Sequence, residues 1–154
     1  MNKWLELLKN DDYLGIKKYI KDGADIDAVN DNGEGVLSNA LRFKCDIDTM
    51  MLLIDAGADI YDFDEEGVSV FDMCIAYNNL EFFNYILEQG IDVNKTMRKS
   101  RFTPLMAATS YGRVEITKKL LELGADKDAV DDKGFKAIDF ARKMNKKRVL
   151  ELLN

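Results

Sequence analysis

The chain of 154 residues contains no histidine. That absence removes the commonest general base, any Ser-His or Cys-His nucleophilic pair, and imidazole-ligated metal chemistry. The 2 cysteines, Cys45 and Cys74, lie in no close-spaced motif. Their scarcity excludes a disulfide scaffold and a cysteine zinc site, and it points to a reducing, cytoplasmic setting. No apolar run approaches the roughly 20 residues that cross a bilayer, so no membrane role is expected. The opening stretch Met1-Asn2-Lys3-Trp4-Leu5-Glu6-Leu7-Leu8 has an acid among its apolar residues and no small-residue cleavage site, so it does not read as a signal peptide. Glycine-rich phosphate loops, nucleophile elbows and metal-ligand spacings are also missing. The expectation is a non-enzyme without a metal.

What the chain does have is enough apolar matter to fold. Hydrophobic residues make up 47% and charged residues 32%, a balance that fits neither disorder nor a membrane protein. The net charge of −6 is unevenly placed, because residues 1–95 carry 8 basic and 20 acidic side chains whereas residues 96–154 carry 14 and 8. An acidic total argues against general nucleic-acid binding, while the basic end suits an acidic protein surface.

Self-comparison decides the architecture. Gly23-Ala24-Asp25-Ile26-Asp27 returns as Gly57-Ala58-Asp59-Ile60-Tyr61, as Gly90-Ile91-Asp92-Val93-Asn94 and as Gly124-Ala125-Asp126-Lys127-Asp128, at spacings of 34, 33 and 34 residues. A second glycine follows at Gly33, Gly67 and Gly134. Each repeat predicts two short helices. The first starts near Leu37, Phe71, Leu105 or Ile138 and carries a small residue one turn on: Ala40, Cys74, Ala108, Ala141. The second runs from Ile47, Leu80 or Val114 through the apolar pairs Leu53-Ile54, Ile86-Leu87 and Leu120-Leu121. It should stop at the periodic glycine in a left-handed cap, ahead of a tight, Asp- and Asn-rich finger.

At these residues the chain resembles the ankyrin repeat family. The clearest match is Thr103-Pro104-Leu105-Met106-Ala107-Ala108, followed by Gly112 and Leu120-Leu121-Glu122-Leu123-Gly124-Ala125-Asp126. The resemblance implies an all-α ankyrin-repeat solenoid of about five stacked helix-turn-helix units with finger-like β-turn loops. The expected arrangement is one domain over 1–154, divided near 1–29, 30–63, 64–97, 98–130 and 131–154, with the first and last units as caps. It further implies a monomeric, non-catalytic module that binds a protein partner through its fingers and concave groove. The family's usual histidine is replaced here by Ser38, Asp72, Met106 and Asp139.

Two rows of residues are candidates for the binding surface. Phe43, Tyr77, Tyr111 and Met144 recur at one place in successive repeats. They are either groove anchors of the kind that dominates interfaces or a packing ladder between repeats. The finger tips form the second row. Asp62-Phe63-Asp64-Glu65-Glu66 sets an aromatic among acids, whereas Lys95-Thr96-Met97-Arg98-Lys99-Ser100-Arg101 has four cations, no acid, one extra residue and no periodic glycine. Phe63, Arg98, Lys99 and Arg101 are therefore expected at the surface, the cations facing an acidic patch of the partner. No cofactor is expected. The alternative is haem in an accessory role for an enzyme such as catalase, an association that some small bacterial ankyrin proteins have. With no histidine present, its iron ligand would be Tyr61, Tyr77 or Tyr111.

Overall fold

A computed structural model describes residues 1–154 as ten helices in five consecutive pairs. The pairs are α1 (Asn2–Lys9) with α2 (Tyr13–Lys21), α3 (Val36–Arg42) with α4 (Ile47–Asp55), α5 (Val70–Ala76) with α6 (Leu80–Glu88), α7 (Pro104–Tyr111) with α8 (Val114–Glu122), and α9 (Ala137–Lys143) with α10 (Lys147–Leu153). There is no strand, and one antiparallel bridge joins Phe63 to Ser69 across a finger. The fold class is the all-α helix-pair repeat expected. The chain divides into two compact units, Met1–Met73 and Cys74–Asn154, and α5 runs across the division.

Each helix stops where the sequence pattern says it should. At the end of α4 the N–H of Gly57 bonds Ile54 O at 2.9 Å and that of Ala58 bonds Leu53 O at 3.0 Å. That is the paired closure of a left-handed glycine cap, with Gly57 at φ +106°. The small residues one turn into α3, α5, α7 and α9 (Ala40, Cys74, Ala108 and Ala141) are fully buried, as close helix approach requires. Within the apolar pairs of the second helices, Leu53, Ile86 and Leu120 are buried while Ile54, Leu87 and Leu121 are half-buried.

The starts of the first helices lie one residue before the expected positions, because the cap itself sits at Ser69 or Thr103. The hydroxyl of Thr103 accepts the Met106 N–H at 3.2 Å, and Pro104 takes the first helical position. Ser69 and Asp72 cap each other reciprocally, each side chain accepting the other's N–H at 3.0 Å. Asp139 accepts the Lys136 N–H at 2.8 Å. The acids that stand where the family places histidine thus act locally, as capping groups.

In the N-terminal unit α1 packs on α2 and α3, and α4 on α3 and α2. Trp4 is buried and donates its indole N–H to Asp25 O at 2.8 Å. Asp11, left-handed at φ +46°, accepts the Thr49 hydroxyl at 2.6 Å and the Asp46 N–H at 3.1 Å, which ties the first pair to the second. Beside it the Cys45 thiol donates to Leu8 O at 3.1 Å. Burial, helped by Asp11, pushes that thiol up to about 12, so Cys45 is a hydrogen-bond donor and not a nucleophile.

In the C-terminal unit α7 packs on α8 and α9, and α10 on α9 and α8. Neighbouring repeats are linked by short polar bonds. The Thr109 hydroxyl donates to Ala137 O at 3.1 Å, and Asn94 both accepts the Asp126 N–H at 2.8 Å and donates to Gly124 O at 3.1 Å.

The N-terminal unit also holds a part-buried ion pair. Glu34 is 7% exposed and is gripped by both terminal nitrogens of Arg42, one of them at 2.8 Å, and by the Asn30 amide at 2.7 Å. The Arg42 hydrogen bonds hold the Glu34 carboxyl below its ordinary value of 4.5. A lowered native pKa adds stability above the unfolded value and loses it as pH falls through the native one. Glu34→Gln is expected to destabilise the chain at pH 7 by about 1.5–3 kcal/mol, the usual worth of a charged hydrogen bond. The difference from wild type should shrink as pH drops below 4.5. Urea melts of both chains at pH 7 and pH 3 check this.

Candidate functional site

The basic finger, in the C-terminal unit, keeps the turn of its siblings by unusual means. In the other fingers Asn30, Asp64 and Asp131 each accept two backbone N–H groups at 2.9–3.0 Å and bond their own N–H to Glu34 O, Val68 O and Phe135 O. Arg98 holds that place here and has no acceptor to offer. The hydroxyl of Thr96 replaces the missing link, accepting the Arg98 N–H at 3.1 Å and donating to Phe102 O at 2.7 Å. One hydroxyl is inserted into a backbone bond, and the extra residue is thereby absorbed.

Arg101 stands where the siblings have Gly33, Gly67 and Gly134, and it adopts their left-handed conformation at φ +60°. A side chain with a Cβ in that region costs about 1 kcal/mol or more relative to glycine. The two arginines are partly engaged inside the unit. Arg98 lies over the Phe102 ring at 5.0 Å, and Arg101 reaches Asp131 O at 3.4 Å. Lys95 and Lys99 are exposed.

Under this finger lies an aromatic group that sequence reasoning missed. Phe102 meets Phe140 edge-on with ring centroids 5.0 Å apart, and Phe135 meets Phe140 at 6.2 Å. Phe135 remains exposed. Phe102 and Phe135 share one repeat position, the residue before the cap, which Glu34 and Val68 hold in the other fingers, whereas Phe140 has no aromatic counterpart in its sister repeats.

The row Phe43, Tyr77, Tyr111 and Met144 occupies one structural place, the residue just before the left-handed positions Lys44, Asn78, Gly112 and Asn145. That place ends the first helix of each pair, whereas the fingers precede it. In the C-terminal unit α7 separates Tyr111 from the basic finger by about 12 Å, eight residues at 1.5 Å each. The two candidate rows are therefore distinct surfaces. Tyr77 is half-buried, while Tyr111 and Met144 are about half exposed. Arg113 lies over the Tyr111 ring at 5.3 Å and donates to Ile75 O at 3.1 Å and Ala76 O at 2.6 Å, satisfying the last carbonyls of α5. Tyr111 is thus joined to a helix cap, while Met144 stands open.

In the N-terminal unit Phe43 is half-buried, and Phe63 and Tyr61 are exposed beside the acidic finger. The finger's base is more informative than its tip. A cavity of about 180 Å³ opens between two fingers, with Asp27, Asp59 and Asp62 on its wall. Asp62 occupies the place of Ala28 and Ala129 in sister fingers, and one of its carboxylate oxygens sits 2.8 Å from where a Cβ on Gly35 would lie. Gly35 is the only glycine among the four caps Gly35, Ser69, Thr103 and Lys136, and its lack of a side chain leaves room for that carboxylate. The two departures from the repeat are readable in the sequence as a pair, once the register is fixed.

Tyr61, Tyr77 and Tyr111 stand on exposed or half-exposed surface, Tyr61 among Asp59, Asp62 and Asp64 and Tyr111 beneath Arg113. None is set in an apolar cavity such as a porphyrin requires, and these residues do not fit a haem.

Residues 6–97 match the family described as "Ankyrin repeats (3 copies)", and residues 100–132 match a single "Ankyrin repeat". The chain belongs to the ankyrin repeat family, whose repeats are in general protein–protein interaction modules. It is 34% identical over 107 residues to the E3 ubiquitin-protein ligase hecd-1 of Caenorhabditis elegans and 35% identical over 107 residues to the E3 ubiquitin-protein ligase Ufd4 of Drosophila melanogaster. Each match takes in 69% of this chain and 4% of the ligase. A human palmitoyltransferase, ZDHHC17, is 26% identical over 125 residues, covering 81% of this chain and 18% of the enzyme. The chain thus spans only a small part of these relatives, and the likeness lies in the repeats.

Arg101→Gly restores the periodic glycine and is expected to raise stability by about 1 kcal/mol, since it relieves left-handed strain at the loss of one long hydrogen bond. Denaturant unfolding of the variant beside wild type reads this directly.

Proposed function

We propose that this chain is a non-catalytic protein-binding module that acts as a cytoplasmic monomer and docks its basic finger on an acidic patch of a partner protein. The observation that carries the reading is Arg101, an arginine at φ +60° in a place where the sister fingers have glycine. Strain retained at a surface loop points to use, because stability alone favours glycine there. The finger concentrates four cations with no acid between Lys95 and Arg101, and like charges in one loop repel. A complementary surface removes that repulsion. The buried cysteines Cys45 and Cys74 form no disulfide, which agrees with a reducing compartment, and no helix is long and apolar enough to cross a membrane.

The test is recovery of the partner from the native cell by affinity purification, followed by kinetics with the purified pair. Lys95→Glu with Lys99→Glu leaves the engaged Arg98 and Arg101 in place and is expected to change stability by no more than about 0.5 kcal/mol. Association should slow at least several-fold at low salt, and the deficit should fade as salt shortens the range of exposed charges to roughly 10 Å or less. An unchanged on-rate at every salt concentration would show the finger to be an ordinary solvated loop.

A further inference from the structure

We infer that the cavity at the finger bases of the N-terminal unit receives the cationic head of one lysine or arginine side chain of the partner protein, an inference that rests on the protein-binding reading. The cavity is about 180 Å³, the scale of a side-chain end and far below that of a folded ligand. Asp27, Asp59 and Asp62 line it, and no lysine or arginine of the chain bridges to any of them. Asp59 and Asp62 each accept only a nearby backbone N–H, from Tyr61 and Phe63, both at 2.9 Å. The remaining carboxylate lone pairs are left to whatever enters.

An independent feature points the same way. Ser38 is only 6% exposed and lines this cavity, and its hydroxyl, which is not one of the buried atoms left without a partner, stays open to whatever fills the recess. A hydroxyl so placed accepts from an ammonium or guanidinium as readily as from water. Ile26, Val29 and Ala58 also form part of the wall, which suits the methylene stem that carries such a head. Burial, with repulsion from Asp59 and Asp27, raises the Asp62 carboxyl above its ordinary value of 3.8. An incoming cation relieves that repulsion.

The carboxylates do not gather into a group able to hold a metal ion, which favours the charged head of an organic side chain over a bare metal cation. The surroundings agree, since residues 1–73 carry 7 basic and 17 acidic side chains. Gly35 and Asp62, the two departures from the repeat noted above, both form this wall. Asp62 thereby keeps a charge at the base of a finger where Ala28 and Ala129 of the sister fingers have none.

The experiment titrates the full chain with N-acetyl-arginine amide, N-acetyl-lysine amide, the apolar analogue N-acetyl-norleucine amide, and calcium chloride. The readout is the backbone amide resonances of Gly35, Ser38, Asp59 and Asp62. One or both cationic amides should shift these resonances saturably at millimolar concentration, and whichever binds tighter names the side chain. Asp62→Asn keeps the acceptor for the Phe63 N–H and should weaken that binding about ten-fold or more, as loss of a charge-assisted contact does. Ser38→Ala should weaken it a few-fold without unfolding the chain.

Equal shifts from the norleucine amide, tighter binding of calcium at the same resonances, or full affinity in both variants would overturn the assignment. If no probe binds although the partner is still recovered, the cavity assignment falls and the protein-binding reading stands. If the probes bind as expected but no partner is recovered, the protein-binding reading falls, and with it the partner half of this inference.

Discussion

The fold depends on a chain reversal that must recur at every helix end. Each pair needs one left-handed residue after its first helix and another after its second, or the next helix points away from its neighbour. The second reversal is met by glycine every time, at Gly23, Gly57, Gly90 and Gly124. The first is met by Asp11, Lys44, Asn78, Gly112 and Asn145, mostly residues that tolerate the region less well. One of them, Asp11, offsets the strain with contacts, its side chain reaching Thr49 and Asp46. The burial of Ala40, Cys74, Ala108 and Ala141 follows once those turns have set the helices side by side.

Much of this architecture was legible in the sequence, because period, glycines and apolar pairs are local signals that agree. The predicted starts of the second helices at Ile47, Leu80 and Val114 coincide with those found. The site was less legible. Sequence places Arg98 and Arg101 on a finger but does not say that one ring and one carbonyl already engage them. It aligns Phe43, Tyr77, Tyr111 and Met144 without showing that Arg113 ties Tyr111 to the end of α5. The acidic cavity escaped because its members come from two successive loops and the starts of two helices, and only Asp62 and Gly35 break the repeat visibly.

Charge is sorted between the two units, the first acidic and the second basic, and the local geometry makes different use of each sign. The carboxylates at the first unit's finger bases surround a recess. Lys95 and Lys99 of the second unit's finger are exposed on a loop whose turn is completed by Thr96 in place of the usual Asn or Asp. Each unit thus carries charge of its own sign in its own form, a recess in the first and a finger loop in the second.

The longest-range side-chain bonds described above, Thr49 to Asp11 and Arg113 to Ile75, both reach across 38 residues, little more than one repeat. Nothing in either unit resembles a keystone joining distant stretches of chain. A pulling machine such as a proteasomal or bacterial unfoldase, engaging one terminus, would therefore meet resistance one helix pair at a time instead of a single global barrier. Its progress would register as a staircase of small extensions.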